Sequence, residues 1–274
     1  MDRSIFLNVD LELARRDVPR LRIRFGLPLG VPFLLGVSGP SGSGKSSLLR
    51  MIAGFQSPGS GSIYRGGFPW FDKDRGIRRP VEERGVAFLP QNVCLFPHMT
   101  IRENLLFASR VAARGTTGIR ALSGIFSGKR GRILEKGQEG AVERLSGLFG
   151  IENLLEKRVG EISGGQARKV SLARMFLKPS CLYLLDEPLT GIDPCARRAL
   201  TAVLLDLFRE NGSPAIWVTH SPEEVGCVAD EMAEFSLGEA ETMGWEQKSV
   251  RRREPEGNRG DLEWGADGDR TGGA

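Results

Sequence analysis

Three short stretches place reactive residues at spacings that hydrophobic packing does not require. The first is Gly39–Ser46, "GPSGSGKS", directly after the apolar run "VPFLLGVS". A Gly-x-x-x-x-Gly-Lys-Ser run between a strand and a helix is a phosphate cradle. Gly39, Gly42 and Gly44 carry no Cβ, so in the loop they form with Pro40, Ser41 and Ser43 the available backbone N–H groups can point into one concavity. The following helix, "KSSLLRMIAG", adds its positive N-terminal end. Lys45 would reach the β- and γ-phosphates of a nucleotide, and the Ser46 hydroxyl would ligate Mg²⁺. The plain alternative is a flexible Ser/Gly loop, but the strand before it and the helix after it favour the cradle.

The second stretch is "CLYLLDEP", in which Asp186 and Glu187 stand where an apolar strand emerges. An aspartate at a strand end can hold Mg²⁺ directly or through water. Glu187, one residue on, points elsewhere and could polarise an attacking water as a general base. A strand ending in solvated charge is the bland reading, and the upstream phosphate loop weighs against it. The third is "EISGGQARKVSLAR": Ser163, Gly164, Gly165 and Gln166 precede a helix and expose backbone N–H groups for a second anion. An ordinary serine cap explains Ser163 but not the whole run. One triphosphate needs one cradle, so a second implies a head-to-tail dimer in which each nucleotide is clasped between two chains.

The elements that must position these residues are legible in outline. "IFLNVDLELA" and "LRIRF" alternate apolar and polar residues as strands with one solvated face do, with Arg15–Arg20 and its Pro19 as the turn between them. A helix over Lys45–Ala53 stops at Gly54. "RGVAFLP" reads as a buried strand. Thr100 caps "IRENLLFASRVAA", with Glu103 completing a capping box. Pro179 ends the helix "GQARKVSLARMFLK". "PCARRALTAVLLDLFREN" is an amphipathic helix with proline in its first turn, and "AIWVTH" is one more buried strand. Apolar strands alternating with helices give an α/β fold around a largely parallel sheet, whose ligands bind at the carboxyl ends of the strands.

The bulk properties fit that reading. The chain has 274 residues, 40% hydrophobic and 26% charged. No apolar run approaches the ~20 residues that span a bilayer, and the N-terminus shows no secretory h-region. Cys94, Cys181, Cys195 and Cys227 lack CxxC spacing, so neither a disulfide framework nor a zinc site is expected. The net charge of +4 is too small to imply nucleic acid by itself. Charge is uneven, though: between Arg110 and Gly140 stand 7 Lys/Arg against 2 Asp/Glu. A solvated loop is the simplest account of that basic insertion, ahead of contact with anionic lipid. From Glu241 onward the chain is polar and glycine-rich, and a disordered tail is expected over 241–274.

In order along the chain, "GPSGSGKSS", "LPQ", "ISGGQ", "LYLLDEP", "TGID" and "WVTH" resemble the Walker A, Q-loop, signature, Walker B, D-loop and H-loop of ABC transporter ATPases. The resemblance covers residues 4 to 240. It implies a phosphate-loop cassette over 1–240 with a RecA-like core, an antiparallel β subdomain and a helical signature subdomain at about 95–165. It implies ATP and Mg²⁺ as ligands, with Ser47 joining Gly39–Ser46 in the phosphate loop. By the same resemblance Gln91 senses the Mg²⁺ and the attacking water, His220 contacts the γ-phosphate and Glu187, and Asp193 helps join two subunits. The implied partners are integral membrane permease subunits, a second ATPase subunit in a homodimer and, indirectly, a solute-binding protein. The implied location is the cytoplasmic face of the cell membrane.

A narrower resemblance, carried by "FDKDRGIRRPVEERGVAFLPQNVCLFPHMTIRENLLFA" and "VDLELARRDVPRLRIRF", is to the molybdate importer ATPases. Two departures stand beside it. Those ATPases continue into an oxyanion-binding regulatory domain where this sequence has a short polar tail, and their link from "ENLL" to "LFGIE" is shorter. His98 in "LFPHMT" reads as structural. Arg15 and Arg16 occupy the turn where many relatives stack the adenine on an aromatic, and a guanidinium can stack on a flat ring. Sulfate, a polyamine or another solute is the second reading of the cargo. A soluble ABC protein acting on nucleic acid or ribosomes is a third, weakened because such proteins have paired cassettes or long coiled coils.

Overall fold

The computed structural model describes residues 5–15, 18–28, 32–113, 137–178, 180–226, 228–235 and 245–248. It contains two sheets. The first is antiparallel: β1 (Ile5–Arg15), β2 (Val18–Pro28), β4 (Ser60–Arg65), β5 (Phe68–Asp72) and β6 (Ile77–Arg78), ordered β2-β1-β4-β5-β6. Pro19, read from sequence as part of a turn, lies inside β2, and only Arg16 and Asp17 separate the strands. Proline is tolerated there because β2 is an edge strand that needs hydrogen bonds on one side only.

The second sheet is ordered β11-β10-β3-β9-β8-β7, comprising β3 (Leu34–Ser38), β7 (Val86–Leu89), β8 (Leu182–Asp186), β9 (Ala215–Val218), β10 (Glu231–Phe235) and β11 (Trp245–Lys248). All its pairings are parallel except β10 with β11. Trp245–Lys248 falls within the segment expected to be a disordered tail. Its backbone instead pairs antiparallel with β10, which offered a free edge. The remainder of 241–274 lies outside the described residues, as do 114–136 of the basic insertion, Pro179 and Cys227.

Seven α-helices complete the described fold: α1 (Lys45–Ala53), α2 (Val81–Arg84), α3 (Ile101–Ala113), α4 (Gly137–Phe149), α5 (Gly164–Phe176), α6 (Pro194–Asn211) and α7 (Pro222–Gly226). The capping chemistry holds where the sequence set it. Thr100 and Glu103 exchange hydrogen bonds of 3.1 and 2.8 Å at the start of α3. Gly54 ends α1 with φ 94°. Asp193 Oδ1 accepts from the Cys195 N–H at 2.9 Å to start α6 at Pro194.

The parallel sheet divides the core in two. In β8, Leu182 and Leu184 pack with α1 and the antiparallel sheet, whereas Tyr183 and Leu185 pack with α3 to α6 on the other face. The same alternation sends Ile216 and Val218 of β9 one way and Ala215 and Trp217 the other. This is the two-residue period of a strand buried on both faces. Gly36 completes the packing: a Cβ there would lie 2.2 Å from the Met232 sulfur.

Candidate nucleotide and catalytic site

The carboxyl ends of β3, β9, β8 and β7 lead into Gly39–Gly44, Thr219–His220, Asp186–Glu187 and Pro90–Gln91. Four segments far apart in sequence thus converge at one rim of the sheet, as the strand-end rule requires.

The loop after β3 folds as a cradle through its glycines. Gly39, Gly42 and Gly44 take φ values of 143°, 81° and 102°, which residues with a Cβ rarely adopt. A Cβ on Gly42 would meet nothing within 4 Å, so the glycine there serves backbone conformation and not packing. The Lys45 ammonium donates to the Gly39 and Pro40 carbonyls, each at 2.7 Å, and to Ser43 Oγ at 3.3 Å. Burial lowers its pKa, and the charges of Glu187 and Asp186 act in the opposite direction. Ser43, Lys45 and Ser47 are buried; Pro40, Ser41 and Gly42 are exposed at the lip.

Asp186 stands on the α1 side of β8 by the alternation described above, and there Ser46 Oγ donates to its Oδ1 at 3.0 Å. Its other oxygen, Oδ2, is buried without a hydrogen-bond partner. Burial raises the Asp186 pKa; the Ser46 hydrogen bond and then Arg50, Arg168 and Lys45 pull the other way. A buried acceptor with no donor is costly, and a divalent cation is the group that a serine hydroxyl and a strand-end carboxylate together suit. The residues present therefore fit Mg²⁺.

Glu187 has φ 51°, the sole positive value at a non-glycine among the described residues. Holding such a conformation costs on the order of 1–3 kcal/mol. It aims the carboxylate at His220, whose Nδ1 is 2.7 Å from Glu187 Oε2. The contact is a hydrogen bond in the tautomer that carries its proton on Nδ1, which donates while the carboxylate accepts. The turn is fastened by the Glu187 N–H donating to the Val218 carbonyl at 2.9 Å and the Thr190 N–H donating to the Glu187 carbonyl at 3.2 Å.

The Ser163–Gln166 run closes on itself as a capping box. The Gln166 N–H donates to Ser163 Oγ at 3.2 Å and the Ser163 N–H to Gln166 Oε1 at 2.9 Å. Gly164 is open, with nothing within 4 Å of an added Cβ, whereas a Cβ on Gly165 would lie 2.6 Å from the Gly191 carbonyl oxygen. Gly165 is therefore required within the chain itself, by its packing against the turn before Asp193. Gln91 and Asp193 are exposed. His98 is exposed, its ring centroid 6.1 Å from that of Phe96. Arg16 lies outside the described residues, as does the Arg15 side chain.

Sequence reading missed one residue of this site. Arg168, two positions past Gln166, is 2% exposed and donates to backbone carbonyls after both β7 and β8. The available signal was its place at helical spacing with Ser171, Leu172 and Met175, a stripe that is otherwise apolar or small and wholly buried.

Comparison with known proteins follows the same lines. A family profile described as ABC transporter matches residues 30–190. The molybdenum import ATP-binding protein ModC of Paramagnetospirillum magneticum is 34% identical over 237 residues, covering 86% of this chain and 59% of the relative. The trehalose/maltose import ATP-binding protein MalK of Thermococcus litoralis is 32% identical over 206 residues, 75% of this chain and 50% of the relative. The sulfoquinovosyl glycerol transport ATP-binding protein SmoE of Agrobacterium fabrum is 31% identical over 251 residues, 90% and 63% respectively. The chain thus spans 50% to 63% of the length of these relatives. A solved structure described as an inward-facing, metal-chelate type ABC transporter superposes with a TM-score of 0.64 at 19% identity, over 89% of this chain and 83% of that one, and so shares the fold. The architecture is a RecA-like α/β core with an antiparallel sheet on one side and helices between β7 and β8. With fold, family profile and relatives above 30% identity in agreement, the chain belongs to the ABC transporter family, as an ATP-binding cassette subunit.

Proposed function

We propose that this chain is the ATP-hydrolysing subunit of an importer for molybdate or a related oxyanion. In this reading it acts as a head-to-tail dimer held at the cytoplasmic face of the membrane by integral membrane subunits, which a solute-binding protein supplies. Among the described residues no helix is long and apolar enough to cross a membrane, so attachment would be through those subunits. The observation that carries the hydrolytic part is the adjacency, across one peptide bond, of Asp186 with its unpartnered Oδ2 and Glu187 with its carboxylate on His220.

Each residue then has a physical task. The backbone N–H groups of Ser41–Gly44 cradle the phosphates, and Lys45 exchanges its carbonyl partners for phosphate oxygens. Ser46 and Asp186 would hold Mg²⁺, which supplies charge neutralisation on the phosphate oxygens. Glu187 takes a proton from the attacking water, and His220 holds its carboxylate in place. Gln91 reports on that water, while Ser163, Gly164, Gly165, Gln166 and Asp193 serve the site of the partner chain. The exposure of Gly164 and Asp193 supports this, because groups working across an interface must lie at the surface.

The cargo rests on likeness alone, since the cassette does not touch the solute. ModC and the sequence resemblance favour molybdate; MalK and SmoE, within a few per cent identity, support a carbohydrate as the second reading. The test is ATP hydrolysis by this chain bound to its membrane subunits in lipid, with binding protein loaded with molybdate, tungstate, sulfate or maltose. Stimulation by molybdate or tungstate alone is expected; stimulation by maltose would transfer the assignment. Glu187→Gln should bind ATP and lose about 10²–10⁴ in turnover, and an unchanged rate would remove the base assignment.

A further inference from the structure

Arg168 is built unlike an ordinary buried arginine. A guanidinium has five N–H bonds, and here each one meets a backbone carbonyl. Nε donates to Pro188 at 2.9 Å, Nη1 to Pro90 at 2.7 Å and Gln91 at 3.1 Å, and Nη2 to Asp186 at 2.7 Å and Glu187 at 2.6 Å. The acceptors come from two segments, the chain leaving β7 and the chain leaving β8, which are 77 to 78 and 18 to 20 residues away in sequence. None of these bonds goes to a carboxylate. Burial works against the charge and lowers the pKa, while Asp186 and Glu187 nearby favour it. A cation that is this expensive to bury, and that spends every donor on main chain, fixes backbone position more than it balances charge.

The backbone it fixes is the strained one. Two of the bonds bracket Glu187, whose φ of 51° lies in the left-handed region, and a third holds Gln91. Arg168 itself rides on α5, one turn beyond the Ser163 cap. We propose that Arg168 is a positioning residue for hydrolysis: its planar fork locks the backbone turn that aims the Glu187 carboxylate and ties that turn to Gln91 and to the start of α5. It touches no nucleotide in this scheme and acts through Glu187. Displacing the start of α5 would therefore pull on the acid and on Gln91 together. This inference rests on Glu187 as the proposed base.

The test uses the full chain with its membrane subunits and compares wild type with Arg168→Lys, Arg168→Met, Glu187→Gln and the double variant Arg168→Lys/Glu187→Gln. Lysine keeps the charge but cannot span both segments as a planar fork. Steady-state hydrolysis gives kcat and KM for ATP, equilibrium titration gives nucleotide affinity, and thermal unfolding shows whether each variant is folded. Expected for Arg168→Lys are nucleotide affinity within about twofold of wild type and kcat lower by about tenfold or more, the pattern of an interaction made at the chemical step. In the Glu187→Gln background the same change should lower the residual rate by less than about twofold, because residues acting as one unit do not add. Should Arg168→Met not fold, Arg168→Lys carries the comparison alone.

Wild-type kcat in Arg168→Lys, with Glu187→Gln inactive, would overturn the positioning role and leave the base in place. A parallel loss of folding, affinity and rate would overturn it in favour of a purely structural arginine. A full second tenfold loss in the double variant would do the same. Wild-type turnover in Glu187→Gln would overturn the base and this inference with it.

Discussion

Gly164 and Gly165 are neighbours in one helix turn, yet the structure gives them opposite sensitivities to a methyl group. On Gly164 an added Cβ meets nothing within 4 Å, while on Gly165 it would come to 2.6 Å from the Gly191 oxygen, about 0.4 Å inside the 3.0 Å that real Cβ atoms keep. The obstacle is backbone, so α5 or the 190–193 turn must move. Overpacking of this kind costs about 1–3 kcal/mol. For a domain of this size each kcal/mol lowers Tm by about 2–4 °C, which puts Gly165→Ala roughly 2–12 °C below wild type. Gly164→Ala should fall within about 0.5 kcal/mol of wild type or gain slightly, since alanine is the better helix former. The assay is thermal and urea unfolding of the two single variants side by side, without nucleotide. Turnover is measured in parallel and should fall in both, because the proposed approach of a partner's phosphate needs both positions bare. Equal Tm values for the two variants would refute the contact with Gly191 as the reason for Gly165.

Three other perturbations test separate parts of the structure. Asp186→Asn should make nucleotide affinity indifferent to Mg²⁺, where wild type gains at least about tenfold; titrations with and without the ion decide, and a retained Mg²⁺ response would move the metal off Asp186. Arg84, pushed down to a pKa of about 10 by burial, donates to the carbonyls of Met51 and Ile52 at 2.8 Å, Arg79 at 3.1 Å and Trp70 at 3.3 Å. Arg84→Met strands those acceptors and should destabilise by about 3 kcal/mol or more in urea; a loss below 1 kcal/mol would show that water replaces it. The hydrogen bond from Tyr64, then that from the Arg75 N–H, holds the Asp72 carboxyl below its ordinary pKa. A folded pKa below the unfolded one gives stability that is present above the unfolded value of 3.8 and lost as pH falls through the folded value. Tyr64→Phe should therefore lower Tm at pH 7, with the gap to wild type closing below pH 3.8; a gap independent of pH would refute the coupling.

Local chemistry was legible in the sequence, and distant backbone contact was not. The strand-to-helix turn at Gly39–Ser46, the Thr100–Glu103 box and the proline start of α6 are decided within a few residues, and the structure repeats them; the Asp193 cap on α6 is an addition. Apolar β3, β7, β8 and β9 announced a parallel sheet because burial on both faces leaves no polar alternation. The hairpin of β4 and β5 also has a local signal, since Gly66 and Gly67, with φ of 52° and 81°, are the pair such a turn needs. The burial of Arg168 had a helical-spacing signal, but the partners of Arg84 and Arg168 could not be read. Their acceptors are main-chain carbonyls, which every residue carries and no side-chain pattern marks.

The alternation along β8 has a consequence for how this sequence can change. Leu182, Leu184 and Asp186 serve one side of the sheet, Tyr183 and Leu185 the other, and only then does the Glu187 turn reset the direction. Replacements are absorbed one side chain at a time. Inserting or deleting a single residue would exchange the contents of both cores at once and would carry Asp186 away from Ser46. β8 therefore acts as a reading frame for the acid pair, and a change in chain length within it would be felt on both faces of the sheet at once.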